Sequence, residues 1–174
     1  MHILPFPFDL LSNFANFLVV LLFLLIFYKK KLIDLKILII LIISSISPFF
    51  VNDFLFPWEY MYDQIRYSIT THHLRNFDFS LAEFEYGKIG STVRFASYLY
   101  FFVPIPFIFH ISAIAFMNKL IYVCLFTYLF SKKYLNNLTS LFYLFYPSLI
   151  LYTSVSLRDI LVCSTTIMSS IMFL

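Results

Sequence analysis

Apolar runs of membrane-crossing length alternate along this chain with short lysine clusters, and that alternation predicts most of its elements. Residues 10–28, LLSNFANFLVVLLFLLIFY, carry no charge. At about 1.5 Å per residue they give roughly 28 Å of helix, close to a hydrocarbon core of roughly 30 Å. Lys29, Lys30 and Lys31 end the run. A second span is expected over residues 32–51, with Pro48 near its end, where neighbouring helices can satisfy the carbonyl that the ring leaves free. The pattern then changes, for residues 52–94 hold six of the nine acidic residues, four basic ones, His72, His73 and the single Trp. An apolar stretch resumes at Phe95, is interrupted by Pro104, Pro106, Asn118 and Lys119, and ends at Lys132 and Lys133.

Residues 95–130 have room for two short spans, or for one full span and a half-inserted segment. Lysine-rich loops face the cytoplasm, so a single span over 111–131 is chosen because it brings both lysine clusters to one side. Residues 95–109 then rest against the outer face as part of a long extracytoplasmic loop, 52–110. Further spans are expected at 135–154 and 160–174, and the N-terminus lies outside. Residues 160–174 make only about 15 residues and roughly 22 Å of helix. That shortness suggests the N-terminal part of a longer parent, or else a tilted partner helix that thins the bilayer.

Composition agrees with an all-α, polytopic membrane helix bundle of about five transmembrane helices. At 61% hydrophobic and 12% charged, with two glycines, the chain has too much apolar surface to hide in one soluble core. Its 24 Phe and 13 Tyr suit lipid-facing and interfacial positions. The net charge of +3 forms no basic stripe, which argues against nucleic acid as a partner. MHILPFPFD lacks the basic start of a cleavable signal, so the first span reads as an anchor.

Candidate chemistry begins with Arg158 and Asp159, the only charged residues from Tyr134 onward. An ionisable group in an apolar segment is expensive and therefore a functional candidate. At the outer boundary an arginine is a bidentate donor for phosphate or diphosphate oxygens. A snorkelling arginine with Asp159 as N-cap of the fifth helix explains the same pair. In the loop, Glu59, Asp63 and Arg66 stand at i, i+4 and i+7, with Trp58, Tyr60, Tyr62 and Tyr67 around them. On one helix face these could form a general base with its charge-setting neighbour and aromatic rings for a sugar, or an ordinary interfacial helix with an Asp63–Arg66 ion pair. Lys119, the deepest cation in this topology, either snorkels or pairs with a carboxylate such as Asp159 or Asp63. His72 and His73 are consecutive and stand at no zinc-binding spacing; no metal site is expected. Cys124 and Cys163 read as small membrane hydrophobes.

The order of these features resembles the bacterial O-antigen and capsule repeat-unit polymerases. An outer loop with acidic and aromatic residues is followed by Arg94 before a Pro-containing stretch, by Asn118 in a helix, and by YPSLILYTSVSLRDILV at an outer helix turn. The resemblance covers most of the chain loosely and about 20 residues well. It implies an enzyme of the bacterial inner membrane that joins oligosaccharide units carried on undecaprenyl diphosphate. Arg158, Arg94, Arg66, Trp58 and Lys119 would then bind substrate, while Glu59, Asp63 or Asp159 would orient or deprotonate the acceptor hydroxyl. Arginines can neutralise a diphosphate leaving group, so no cofactor or metal is implied. The implied partners are the lipid-linked glycan, the bilayer, and a chain-length regulator or other membrane subunit. These polymerases usually have ten or more spans, twice the number read here. A polyprenyl-phosphate-sugar glycosyltransferase and a non-enzymatic accessory, immunity or transport subunit are the alternatives.

The topology is testable. In a background lacking Cys124 and Cys163, His73→Cys and Ser156→Cys should react with an impermeant thiol reagent from outside, whereas Lys133→Cys should not. Labelling at 133 would mean two spans between Phe95 and Phe130.

Overall fold

In a computed structural model, residues 8–51, 55, 63–78, 91–108, 110–155 and 158–172 are described; they form eight helices and contain no strand. These are α1 (Phe8–Lys29), α2 (Leu35–Val51), α3 (Asp63–Arg75), α4 (Ser91–Phe101), α5 (Ser112–Ser131), α6 (Asn137–Phe145), α7 (Pro147–Ser154) and α8 (Asp159–Met172). The chain is all-helical. By length and composition, α1 and α5 can each cross a membrane, while α2 and α8 are shorter apolar helices.

Three helices end in the same way, and lysine chemistry explains two of them. After α1 the Lys31 N–H bonds Tyr28 O and Leu32 N–H bonds Phe27 O; after α5 Lys133 bonds Phe130 and Tyr134 bonds Leu129. This double closure needs a left-handed residue, a role glycine usually fills. Here Lys31 (φ 55°), Phe77 (φ 57°) and Lys133 (φ 60°) take it. A lysine in the last turn is favoured by the negative end of the helix dipole, which offsets part of the backbone cost. Asp34 then starts α2 as its N-cap, its Oδ1 accepting from Ile37 N–H at 2.8 Å.

α5 lies at the centre, with fifteen of its 20 residues buried. α1 runs parallel to it. At their starts, Ser112 Oγ donates to Asn13 Oδ1 (2.7 Å) while its neighbour His110 sits 2.6 Å away through Nδ1, and at their ends Phe130 shares a hollow with Tyr28 and Lys29. Both lysine clusters therefore stand at one end of the bundle. α2 runs antiparallel, stacking Phe49 edge-on between Phe17 and Phe116. The opposite face of α1 exposes Leu10, Phe14, Leu18, Leu22 and Leu25, a stripe suited to lipid.

Proline shapes the rest. The expected span 135–154 is not one helix: Tyr146 is extended, as a residue before proline prefers, and Pro147 starts α7 afresh. Pro147 offers no N–H to the Tyr143 carbonyl four residues back, and the Tyr122 hydroxyl of α5 supplies the missing donor at 3.1 Å, with the two rings stacked 5.1 Å apart. In α2, Pro48 likewise frees the Ser44 carbonyl, which accepts from Ser47 Oγ at 2.6 Å within the same helix instead of from a neighbour.

The segment expected to rest on the outer face is drawn further in. Phe102, Val103 and Pro104 wall a hollow together with Phe23 of α1, Leu120 and Cys124 of α5, and Ser164 of α8. The guanidinium of Arg75 donates to the carbonyls of Tyr100, Val103 and Ile105, adding to the backbone N–H bonds that Tyr100 and Val103 already accept from Val103 and Ile105. Asn16 holds the outgoing strand with its side-chain amide, Nδ2 to Phe107 O at 2.7 Å and Oδ1 from Phe107 N–H at 3.2 Å.

The Tyr122 hydroxyl should matter only while residue 147 is proline. Tyr122→Phe should cost about 1–2 kcal/mol, and much less in a Pro147→Ala background, where an N–H is restored to the Tyr143 carbonyl. Thermal unfolding of the four proteins in detergent measures this coupling.

Candidate functional site

Two consecutive residues of α5 hold the polar centre of the molecule. Asn118 and Lys119 are fully buried and about 100° apart around the helix, so each needs partners on a different side. Asn118 Oδ1 accepts from the Tyr100 hydroxyl of α4 at 2.7 Å, and its Nδ2 donates to Val155 O in the α7–α8 turn at 2.8 Å. Lys119 Nζ donates to Thr153 Oγ1 of α7 at 2.8 Å and to Ser44 Oγ of α2 at 3.1 Å, and lies 5.4 Å from the Tyr122 ring centroid. Ser47 and Ser154 close the same α2–α7 seam, with 2.5 Å between their hydroxyl oxygens.

From this centre an aromatic path leads to the charges. Tyr100 meets Tyr67 of α3 edge-on, 6.5 Å between centroids. Burial raises the Tyr67 phenol above its ordinary value; Arg158 draws it down, and Asp63 and Asp159 push it up. The charges of Arg158 and Asp159 at the start of α8 therefore reach Tyr67, as does that of Asp63 one helical turn before it on α3. Asp63 also pairs with Arg66 at 3.6 Å, an exposed i,i+3 contact that contributes little to stability. Beside Arg158 lies an apolar hollow of about 450 Å3 lined by Phe95, Ala96 and Leu99 of α4 and Leu161, Val162 and Thr165 of α8.

Arg158, Asp159 and Asp63 each act on the Tyr67 phenol through their charge, and Arg66 pairs with Asp63. Arg94 is exposed on α4, next to Phe95 of the hollow. Glu59 and Trp58 lie outside the described residues. Lys119 departs from expectation, as among the described residues no carboxylate pairs with it. Asp63 and Asp159 stay exposed at the ends of their helices while α5 is enclosed on all sides, leaving hydroxyls as the partners within reach. Arg158 also displaces Asp159 from the cap. The Arg158 carbonyl accepts from Leu161 and Val162 N–H, and Asp159 opens the first turn of α8, where the helix dipole favours a carboxylate.

The turn before α8 meets α5 at Asn118, six residues or about 9 Å past the first residue of that helix. Tyr100 and Arg75 are the residues sequence reasoning passed over. Arg75 carries no signal in the sequence, because the carbonyls it meets lie 25 and 28 residues away and only packing brings them to it. His72 and His73 serve the end of α3: His72 Nδ1 stands 3.0 Å from Ile108 O and Nε2 3.0 Å from Asn76, and His73 stands 3.9 Å from Asp78. Among the described residues no three potential metal ligands gather.

Chemically, the arrangement offers a guanidinium and two carboxylates around a phenol, with an apolar trough alongside and a buried amine behind. It defines an all-helical protein with two helices of membrane-crossing length and a polar cluster where α3, α4, α5 and α8 meet. No protein-family model, curated protein or solved structure matches the chain.

The two centre residues should separate in mutants. Asn118→Leu leaves the Tyr100 hydroxyl and the Val155 carbonyl without their partner and should cost about 2–4 kcal/mol. Lys119→Met should be tolerated within about 1 kcal/mol, because Thr153 Oγ1 already bonds Ile150 O and a buried amine is itself expensive. Detergent melting curves of both variants give the comparison.

Proposed function

We propose that the chain is a polytopic inner-membrane protein of bacterial surface-polysaccharide synthesis that joins repeat units carried on undecaprenyl diphosphate. The observation that carries this reading is that Arg158 stands among the charges around Tyr67 and also walls the apolar hollow between α4 and α8. A lipid diphosphate needs this combination: a bidentate cation for its oxygens and an apolar trough for the first units of its tail.

In this reading α1, α2, α5, α6–α7 and α8 are the five membrane segments, the N-terminus is outside, and the Tyr67 cluster faces the periplasm. Arg158 holds the diphosphate of the donor. The acceptor hydroxyl oxygen bonds the donor's anomeric carbon as the bond from that carbon to the diphosphate oxygen breaks. The electron pair leaves with undecaprenyl diphosphate, whose growing charge Arg158 stabilises. Asp63, Asp159 or Glu59 takes the hydroxyl proton. Arg66 holds Asp63 in position, Arg94 binds the glycan beside the hollow, Trp58 is a further glycan-binding residue, and Lys119 supports the site from behind. No cofactor enters, and a chain-length regulator is the natural protein partner.

Deleting the gene in its source cell should collapse a long surface-polysaccharide ladder to single repeats on a gel. The wild-type gene should restore the ladder and Arg158→Ala should not, at equal protein level. If Asp63→Asn is fatal and Arg158→Ala mild, the donor is a polyprenyl-phosphate sugar. An unchanged ladder in the deletion, with every variant tolerated, leaves a non-enzymatic subunit.

A further inference from the structure

At the end of the bundle away from Tyr67, the two lysine turns stand side by side. Lys29, Lys30 and Lys31 follow α1, while Lys132 and Lys133 follow α5, and all five are exposed. Between the turns lies a hollow of about 630 Å3 with Leu32, Ile33, Leu35 and Phe130 among its walls and Lys29 and Lys31 on its rim. Lys132 and Lys133 come two and three residues after Phe130. Asp34 also lines this hollow, but its carboxylate is committed to the start of α2 through the Ile37 N–H. Lys29 and Lys31 thus border the groove with one carboxylate already bound to its own helix, and three further lysines stand on the same two turns.

We infer that this groove is a binding site for one anionic phospholipid, whose phosphodiester bridges the α1 and α5 turns while an acyl chain lies along Leu32, Ile33 and Phe130. Charge complementarity selects the occupant. A zwitterionic lipid brings a cation that the five lysines repel, whereas a headgroup of net negative charge meets several ammonium donors from two directions. The left-handed backbone at Lys31 and Lys133 turns the chain at the end of each helix and places a lysine at each turn. The bound lipid would tie the ends of α1, α2 and α5 together. This site does not depend on what the Tyr67 cluster does.

The test uses the purified 174-residue chain in detergent, with native mass spectrometry against phosphatidylglycerol and phosphatidylcholine of the same acyl chains. One phosphatidylglycerol should bind, preferred over phosphatidylcholine by about thirtyfold, the effect of roughly two engaged lysines. Two double variants probe the two turns separately: Lys29→Gln with Lys31→Asn, and Lys132→Gln with Lys133→Asn. Asparagine tolerates the left-handed conformation, so each turn should survive, and lipid-free melting should match the wild type. Either pair should cut the preference to about fivefold, the effect of the one engaged lysine left on the other turn. Equal binding of both lipids, or a preference unchanged in both variants, would overturn the inference. Displacement of phosphatidylglycerol by millimolar glycerol 3-phosphate would overturn it too, because the groove would then be reading free phosphate and not a lipid.

Discussion

An amide and an amine buried away from water must be satisfied by the protein itself, and the interior of this molecule is organised around that demand at Asn118 and Lys119. Each unmet polar group in such a place costs several kcal/mol. Because the two residues are consecutive, their side chains leave α5 in different directions. Tyr100 and Ser44 reach one each, while residues 153–155 serve both, Thr153 meeting Lys119 and Val155 meeting Asn118. Bringing them together puts α5 in the middle and draws α2, α4, α7 and the α7–α8 turn around it.

Prolines decide where those neighbours bend, and hydroxyl groups make the bends tolerable. Pro147 divides the fourth apolar segment, and the Tyr143 carbonyl it abandons is taken by Tyr122, one turn from Lys119. Pro48 opens the Ser44 carbonyl to Ser47, while the Ser44 side chain receives Lys119. The same residues that repair the backbone thus form the lining of the polar centre. Arg75 ties the carbonyls around Pro104 to α3 and holds the 102–106 segment against the inner helices. Through α3 and α4 this clamp also sets Tyr67 and Tyr100 in line with Asn118. The path from Arg158 to the buried lysine is therefore built from parts whose first task is to satisfy backbone.

The two ends of the bundle differ in kind. At one, Arg158, Asp63 and Asp159 place charges of both signs within reach of the Tyr67 phenol, and Arg158 also borders an apolar hollow. At the other, lysines predominate, and the nearby carboxylate is engaged in capping.

Much of the secondary structure was legible in the chain alone. Apolar periodless runs of sufficient length can only be helices in lipid, so the all-α class, the first span and the lysine turns followed from composition and spacing. Proline positions marked Pro147 as a break only in hindsight, since a proline can kink a membrane helix without ending it. Asp63, Arg66, Arg158 and Asp159 were visible as rare charges in apolar surroundings, but their meeting at Tyr67 was not, because α3 and α8 are separated by more than 80 residues. Lys119 was read correctly as deep and wrongly as a partner of carboxylates; a carboxylate signals itself in sequence, whereas a serine or threonine hydroxyl does so only when packing brings it within 3 Å. Sequence by itself determined which segments avoid water, for that depends on local composition. Tertiary structure alone decided which polar groups meet inside, because that depends on how distant helices pack.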